Sequence, residues 1–355
     1  MSDNLSKKRK VSEPVEVVRL RCLGFCGADD SVEPGLLAAI SAQHSWVEWG
    51  VLFRPDKEGL PRYASESWLK QLGTVNAART MRLAGHLCST RVDELLRGET
   101  KFVRQMHEQV GFRRFQINAT APNGVDTSVF STDSGAAKCV AALRQVFASL
   151  PEVEFIIQRN VATKPLWERL VDAPPPNISI LFDDSMGLGV STTTWPAPPS
   201  DGNLLFGYAG GLSPVNIKEQ VCWRRQRACA RTARAYVDPA MPHTPDDLHV
   251  KERAGACVPR LWSPSFACLC MLALGSRRMQ ALAQPAYRAD SCVRRGRTQL
   301  GIMGVTAPGR VLWVDMETSL RTVLKSEADI FDANKAMGCV RAVLEVGIEV
   351  GVQPR

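Results

Sequence analysis

The stretch AGGLSPVN holds residue types suited to seating a dianion. Gly210 and Gly211 let the backbone approach a ligand closely, Ser213 can cap the helix that follows, and Pro214 suits its first turn. The N–H groups and dipole at such a helix start favour phosphate. A plain Gly-Gly turn with a good cap fits the same residues, so the motif alone leaves both readings open. Other polar residues end apolar runs: Cys26 after VVRLRCLGF, Asn118 after RRFQI, and Asp183 with Asp184 after ISILF. Arg62 lies in the turn-rich stretch after WVEWGVLF. A thiol and a carboxyl can trade protons with a ligand, while an arginine and an amide can hold one. Each also has a purely structural reading. Cys26 packs well as a small core residue, and Arg62 is at home in a solvated loop. A strand pleat turns the adjacent Asp183 and Asp184 to opposite faces, so one of them at most looks toward a shared site.

These residues need elements to position them, and the chain supplies a regular alternation. With 221–298 set aside, apolar runs at 17–26, 46–53, 81–88, 113–120, 154–160, 178–185, 204–211 and 310–319 alternate with helical or turn segments. One helix is predicted over 91–110, where apolar residues recur every three or four positions. Strands alternating with amphipathic helices imply parallel strands covered by helices. Eight such units match the size of a (β/α)₈ barrel, ~250 residues. A doubly wound open sheet is the competitor, but no G-x-G-x-x-G turn follows the first run. The predicted fold is therefore α/β: a (β/α)₈ TIM barrel over 17–220 and 299–355, behind a basic tail at 1–16. A long irregular insertion, 221–298, separates strands seven and eight. The polar residues above then gather at the C-terminal rim, where barrel sites are built.

With the elements in this order, the chain resembles the phosphoribosylanthranilate isomerase family of tryptophan biosynthesis, within the phosphate-binding barrels. FCGADD resembles the first-strand Cys-Gly signature, and WGVLFRPDKEGLPRYAS the second strand with its Arg-Tyr loop. MRLAGHLC, FQIN and ILFDDSMGLGVSTTTW resemble strands three, four and six; GGLSPVN and WVDMETS resemble the turns after strands seven and eight. The resemblance implies an Amadori rearrangement of an aminoaldose phosphate to an aminoketose. Carried over by position, Cys26 would be the base and Asp183 (or Asp184) the acid. Arg62 and Asn118 would bind substrate, and Gly210, Gly211, Ser213, Thr318 and Ser319 would hold phosphate. A small phosphorylated sugar is the implied partner, with no metal and no organic cofactor. The chain departs from the family pattern in three places. Asp29 and Asp30 follow the thiol and would raise its pKa, Asn118 stands where His is usual, and Glu317 enters the phosphate loop, with Arg321 nearby to compensate. A barrel that binds a phosphorylated metabolite or a protein without catalysis is the alternative.

The formal net charge of +8 is carried by the insertion. Residues 221–298 hold 14 Lys and Arg against 5 Asp and Glu, a net +9 that leaves −1 for all other residues. Six of the eleven cysteines lie there too; the remaining five are scattered, which suggests a reducing compartment rather than a disulfide framework. No secretory h-region and no apolar stretch of ~20 residues is visible, so a cytoplasmic protein without a membrane partner is expected. The basic run Lys7–Lys10 also fits nuclear import. The insertion has no repeat and no amphipathic period, and its Arg, Cys, Trp and Pro usage resembles translated noncoding sequence. Two rivals stand beside this: a basic nucleic-acid arm, although its arginines lack interleaved aromatics, and a zinc site from His243, His249, Cys257, Cys268 and Cys270, whose spacing matches no paired C-x₂-C pattern. The oligomeric state is left open. Sequencing the transcript tests the insertion: codons for 221–298 should be missing from most copies, and their presence in most excludes the noncoding reading.

Overall fold

The computed structural model describes residues 19–186, 188–190, 194–221, 301–306 and 309–353. The basic tail, the insertion from position 222 onward and its candidate zinc ligands lie outside the described residues; position 221 ends the last helix before it.

The predicted alternation forms a closed barrel. Strands β1 (Arg19–Cys26), β2 (Val47–Phe53), β3 (Arg82–Leu87), β4 (Arg114–Ile117), β5 (Glu154–Arg159), β6 (Ile178–Phe182), β7 (Leu205–Tyr208) and β8 (Val311–Met316) pair in sequence order, all parallel. The ring closes where β8 pairs with β1, Leu23 opposite Val314 and Phe25 opposite Met316. The β1 register shifts between Leu20 and Leu23.

The helices follow their local signals. Helix α1 (Pro34–Gln43) starts on a proline, and α2 (Glu66–Val75) starts on Ser65, whose hydroxyl accepts from the Trp68 N–H at 3.2 Å. The single helix predicted over 91–110 is instead two, α3 (Thr90–Leu96) and α4 (Lys101–Gln109). Gly98 between them has φ +86°, a left-handed turn that a continuous helix does not contain. Helix α5 (Asp133–Ser149) is capped by Thr132, and α6 (Lys164–Asp172) carries a proline in its first turn. Among the described residues a loop follows β6. The short α7 (Ile217–Val221) contacts α8 (Ile302–Val305), which leads into β8. An unforeseen hairpin follows, β9 (Arg321–Val323) with β10 (Asp329–Phe331), then α9 (Ala333–Val346). Helix α9 ends at Gly347, φ +68°, and β11 (Glu349–Val350) adds to β1.

Side chains alternate along the strands, except at the β1 shift, where Arg21 and Cys22 both turn inward. Phe25, Trp49, Phe115, Phe155, Phe182, Phe206 and Val314 face outward into the large core shared with the helices. Cys22, Ile156, Leu181 and Trp313 meet in a separate cluster inside the barrel. Toward the strand starts and around that cluster the interior is polar. Arg114 lies 4.3 Å over the Trp313 ring and pairs with Glu48 at 2.5 Å and Glu154 at 3.0 Å. Arg21 joins Glu154 at 2.7 Å, and Ser179 donates to Glu154. Although burial pushes the other way, Arg114 and Arg21 hold the Glu154 carboxyl at about 2.

Trp313 fits only because β7 carries a glycine opposite it. A Cβ on Gly207 would fall 2.3 Å from the indole. Gly207→Ala should therefore cost about 1–3 kcal/mol through forced repacking, read as a lower urea midpoint by tryptophan fluorescence.

Candidate active site

A cavity of about 340 Å³ opens at the C-terminal rim. It brings together His86 from β3, Gln116 from β4 and Asn118 just after it, Asp183 after β6, Gly211 and Ser213 after β7, and Asp315, Glu317, Thr318 and Ser319 from β8 and its loop. Period-two alternation explains the spacing: Gln116 and Asp315 face inward from β4 and β8, and Asn118 and Glu317, two residues on and just past the strand ends, reach the same cavity. Gly24 and Gly50 make room at the same level. A Cβ on Gly24 would sit 2.3 Å from the Asp315 carboxyl, and one on Gly50 would sit 2.9 Å from the His86 ring.

The adjacent aspartates separate as the pleat requires. Asp183 is buried and lines the cavity, whereas Asp184 is exposed. Asp183 accepts from Gln158 Nε2 at 2.7 Å and from the Ser185 N–H at 3.1 Å, with the Ser185 hydroxyl at 2.5 Å. Partial burial and the charge of Asp183 raise the Asp184 carboxyl.

The two turns proposed to hold phosphate both reach the cavity. Gly210 and Gly211 have φ +103° and +66°, left-handed values that favour glycine. Asn216 braces this turn, accepting from the Ser213 N–H and donating to the Gly211 carbonyl, both at 2.8 Å. The Ser213 carbonyl accepts from the Ile217 N–H at 2.9 Å, so Ser213 opens the helical turn through its backbone. Ser319 donates to the Leu212 carbonyl at 2.7 Å and fastens the β8 loop to the β7 loop, beside Thr318.

Cys26 and Arg62 stand outside the cavity lining. Cys26 is 1% exposed, packs with Leu52 and Cys88, and has its sulfur 3.1 Å from His86 Nδ1. Burial pushes the thiol well above its usual range, and Glu317 and Asp315 push it further. Burial lowers His86 to about 3, with Arg114 contributing, so at neutral pH both partners are uncharged. The aspartates beside Cys26 in sequence are occupied elsewhere. Asp29 pairs with Arg321 at 2.9 Å, and Asp30 accepts from the Ser65 N–H at 2.8 Å. Arg62, in a left-handed conformation (φ +78°), pairs with Asp329 at 3.1 Å and with Glu317 at 3.5 Å. Arg321 is buried between Asp29, Asp329 and the Gly27 carbonyl, so its pairing is with the hairpin and the β1 loop.

Three carboxyls line the cavity, and no Lys or Arg does so among the described residues. Burial raises Asp315 strongly, helped by Glu48 and Glu317. Burial also raises Glu317, while Arg62 and Arg321 pull it back and Asp183 adds to the rise. No three His, Cys, Asp or Glu among the described residues are grouped to hold a metal ion, and no described helix is long and apolar enough to cross a membrane. The sequence reading missed His86, Gln116 and Asp315 as lining groups. A signal was available for two of them: Gln116 and Asp315 each stand two positions before another polar residue at the end of an apolar run, whereas His86 is a lone polar residue in its run.

No protein-family model matches this chain, and no curated protein sequence matches it. Among solved structures, a family 18 chitinase from Crocus vernus is similar, with 13% identity and a TM-score of 0.28, covering 61% of this chain and 98% of that one. A likeness of that degree carries no functional argument; the barrel rests on its own strand pairing.

Asp315 provides a test of these electrostatics. Its folded-state pKa is raised, so the proton it holds stabilises the fold at low pH, and that contribution is lost as pH rises through the folded value. Asp315→Asn removes the buried ionisation. Its melting temperature should exceed wild type at about pH 9 by roughly 2–4 °C per kcal/mol relieved, and the gap should shrink toward about pH 5.

Proposed function

We propose that this barrel isomerises a small aminoaldose phosphate to the corresponding aminoketose phosphate at the rim cavity. The observation that carries this reading is that Asp183, the Gly211–Ser213 turn and the Thr318–Ser319 turn line one cavity. Its volume suits a small ligand, within the ~300–1,000 Å³ common for such sites. The chemistry is proton transfer alone. An acid at Asp183 protonates the furanose oxygen as the ring C–O bond breaks, and the substrate nitrogen supplies the electron pair that makes the iminium. A base then removes the C2 proton, and the enamine that forms tautomerises to the ketone. Backbone N–H groups and hydroxyls of the two turns would hold the phosphate, with Asn118 and Gln116 facing the sugar.

A second reading is a barrel that binds a phosphorylated metabolite without turning it over. The position of Cys26 off the cavity, with its thiol raised, favours that reading.

Incubating the purified full-length protein with phosphoribosylanthranilate tests the first reading. Wild type should consume the substrate, and Asp183→Asn should lower kcat by about 10²–10⁴-fold. A phosphate-dependent rise in melting temperature with no turnover would select the second reading.

A further inference from the structure

Glu317 stands in the loop where a phosphate site does best without a negative charge, and the sequence alone marks it as an obstacle. The structure puts it on the cavity wall together with Asp183. Its side chain keeps 28% exposure, and Oε1 is 3.5 Å from Arg62 Nη1. Arg62 Nε is in turn 3.1 Å from Asp329, and Asp329 is 3.0 Å from Arg321 Nε. Alternating charges thus run from the cavity wall into the β9–β10 hairpin and tether the Glu317 carboxylate on that wall. Cys26 has no such access: it is 1% exposed, is bonded to His86, and is absent from the lining. A general base has to come within hydrogen-bond reach of the proton it takes, directly or through one water.

We propose that Glu317, rather than Cys26, removes the C2 proton in this isomerisation, with Arg62 as its positioning residue. The assignment rests on the isomerase reading above. In the step, the Glu317 carboxylate takes the proton from C2. The C–H electron pair forms the C1=C2 bond, and the iminium π electrons return to nitrogen. The proton Glu317 gains equals the one Asp183 gave to the ring oxygen, and solvent exchange restores both groups. The later tautomerisation moves one proton from the C2 hydroxyl to C1, so the turnover is balanced with no added reagent.

Burial strengthens Glu317 as a base by raising its pKa, and Arg62 and Arg321 keep it ionisable. The titratable and charged groups around it are Arg62 and Tyr63 from the β2 loop, Arg321 from β9, Asp183 after β6, Asp315 from β8, Cys26 from β1 and Cys88 after β3.

The test uses full-length protein, phosphoribosylanthranilate and the same substrate deuterated at C2. Glu317→Gln, checked for a wild-type-like melting temperature, should lower kcat about 100-fold or more with KM changed less than about threefold. It should also lose the acidic limb of the kcat/KM profile. Glu317→Asp should restore roughly a tenth of the lost rate or more. Arg62→Ala should move the acidic limb to higher pH, because a cation that favours the ionised carboxylate is gone. Retention of kcat and of the limb in Glu317→Gln overturns the assignment. So does loss of C2 proton abstraction in Cys26→Ser while Glu317→Gln abstracts normally, or a wild-type limb in the thiol range. A wild type with no turnover at all removes the isomerase reading and this assignment together, an outcome distinct from an active wild type with an active Glu317→Gln.

Discussion

Pairing β8 back onto β1 forces every second side chain of eight strands into one fixed cross-section. Nothing at that radius can be chosen independently. An indole from β8 occupies the axis only where β7 offers Gly207, and the Asp315 carboxyl reaches inward only where β1 offers Gly24. The interior is therefore a set of matched large and absent side chains, at the packing density that makes such interiors intolerant of one added methyl.

The same constraint sorts charge by height. Low in the barrel, Arg114 meets two glutamates and stacks on Trp313, so the buried charges are compensated. Such a network adds little net stability against an apolar filling, yet removing one partner costs about 3–5 kcal/mol because the other is stranded. It forms the buried floor of the barrel interior. At the rim the balance reverses, with three carboxyls facing the cavity and the nearest arginines held just behind the wall. Burial there raises Asp315 and Glu317, which makes the rim a place where protons are held and released above the ordinary carboxylate range.

The β9–β10 hairpin connects this electrostatics to the loops. Asp329 joins Arg62 from the β2 loop to Arg321, and Arg321 reaches Asp29 and the Gly27 carbonyl after β1. Ser319 ties the β8 loop to the β7 loop. The rim is thus cross-linked around the cavity by groups from four separate loops, and Glu317 joins this network through Arg62.

The eight strands, their order and the barrel were legible in the sequence because strand and helix periods are local properties, set by residues two to four positions apart. So were cavity residues just past a strand or in the glycine turn: Asn118, Asp183, Gly211 and Ser213 all line it. Gly98, an ordinary residue in a 3.6-residue pattern, was not read as the break it makes between α3 and α4. What the sequence left open, the tertiary structure decided: which aspartate of the pair at 183–184 faces inward, that Asp29 and Asp30 turn away from Cys26, that Arg62 spends its charge on Asp329 and Glu317, and that Cys26 sits off the cavity beside His86. Each of these depends on a partner tens to hundreds of residues away. Charge pairing and burial are fixed by three-dimensional distance, and that distance exists only once the ring has closed.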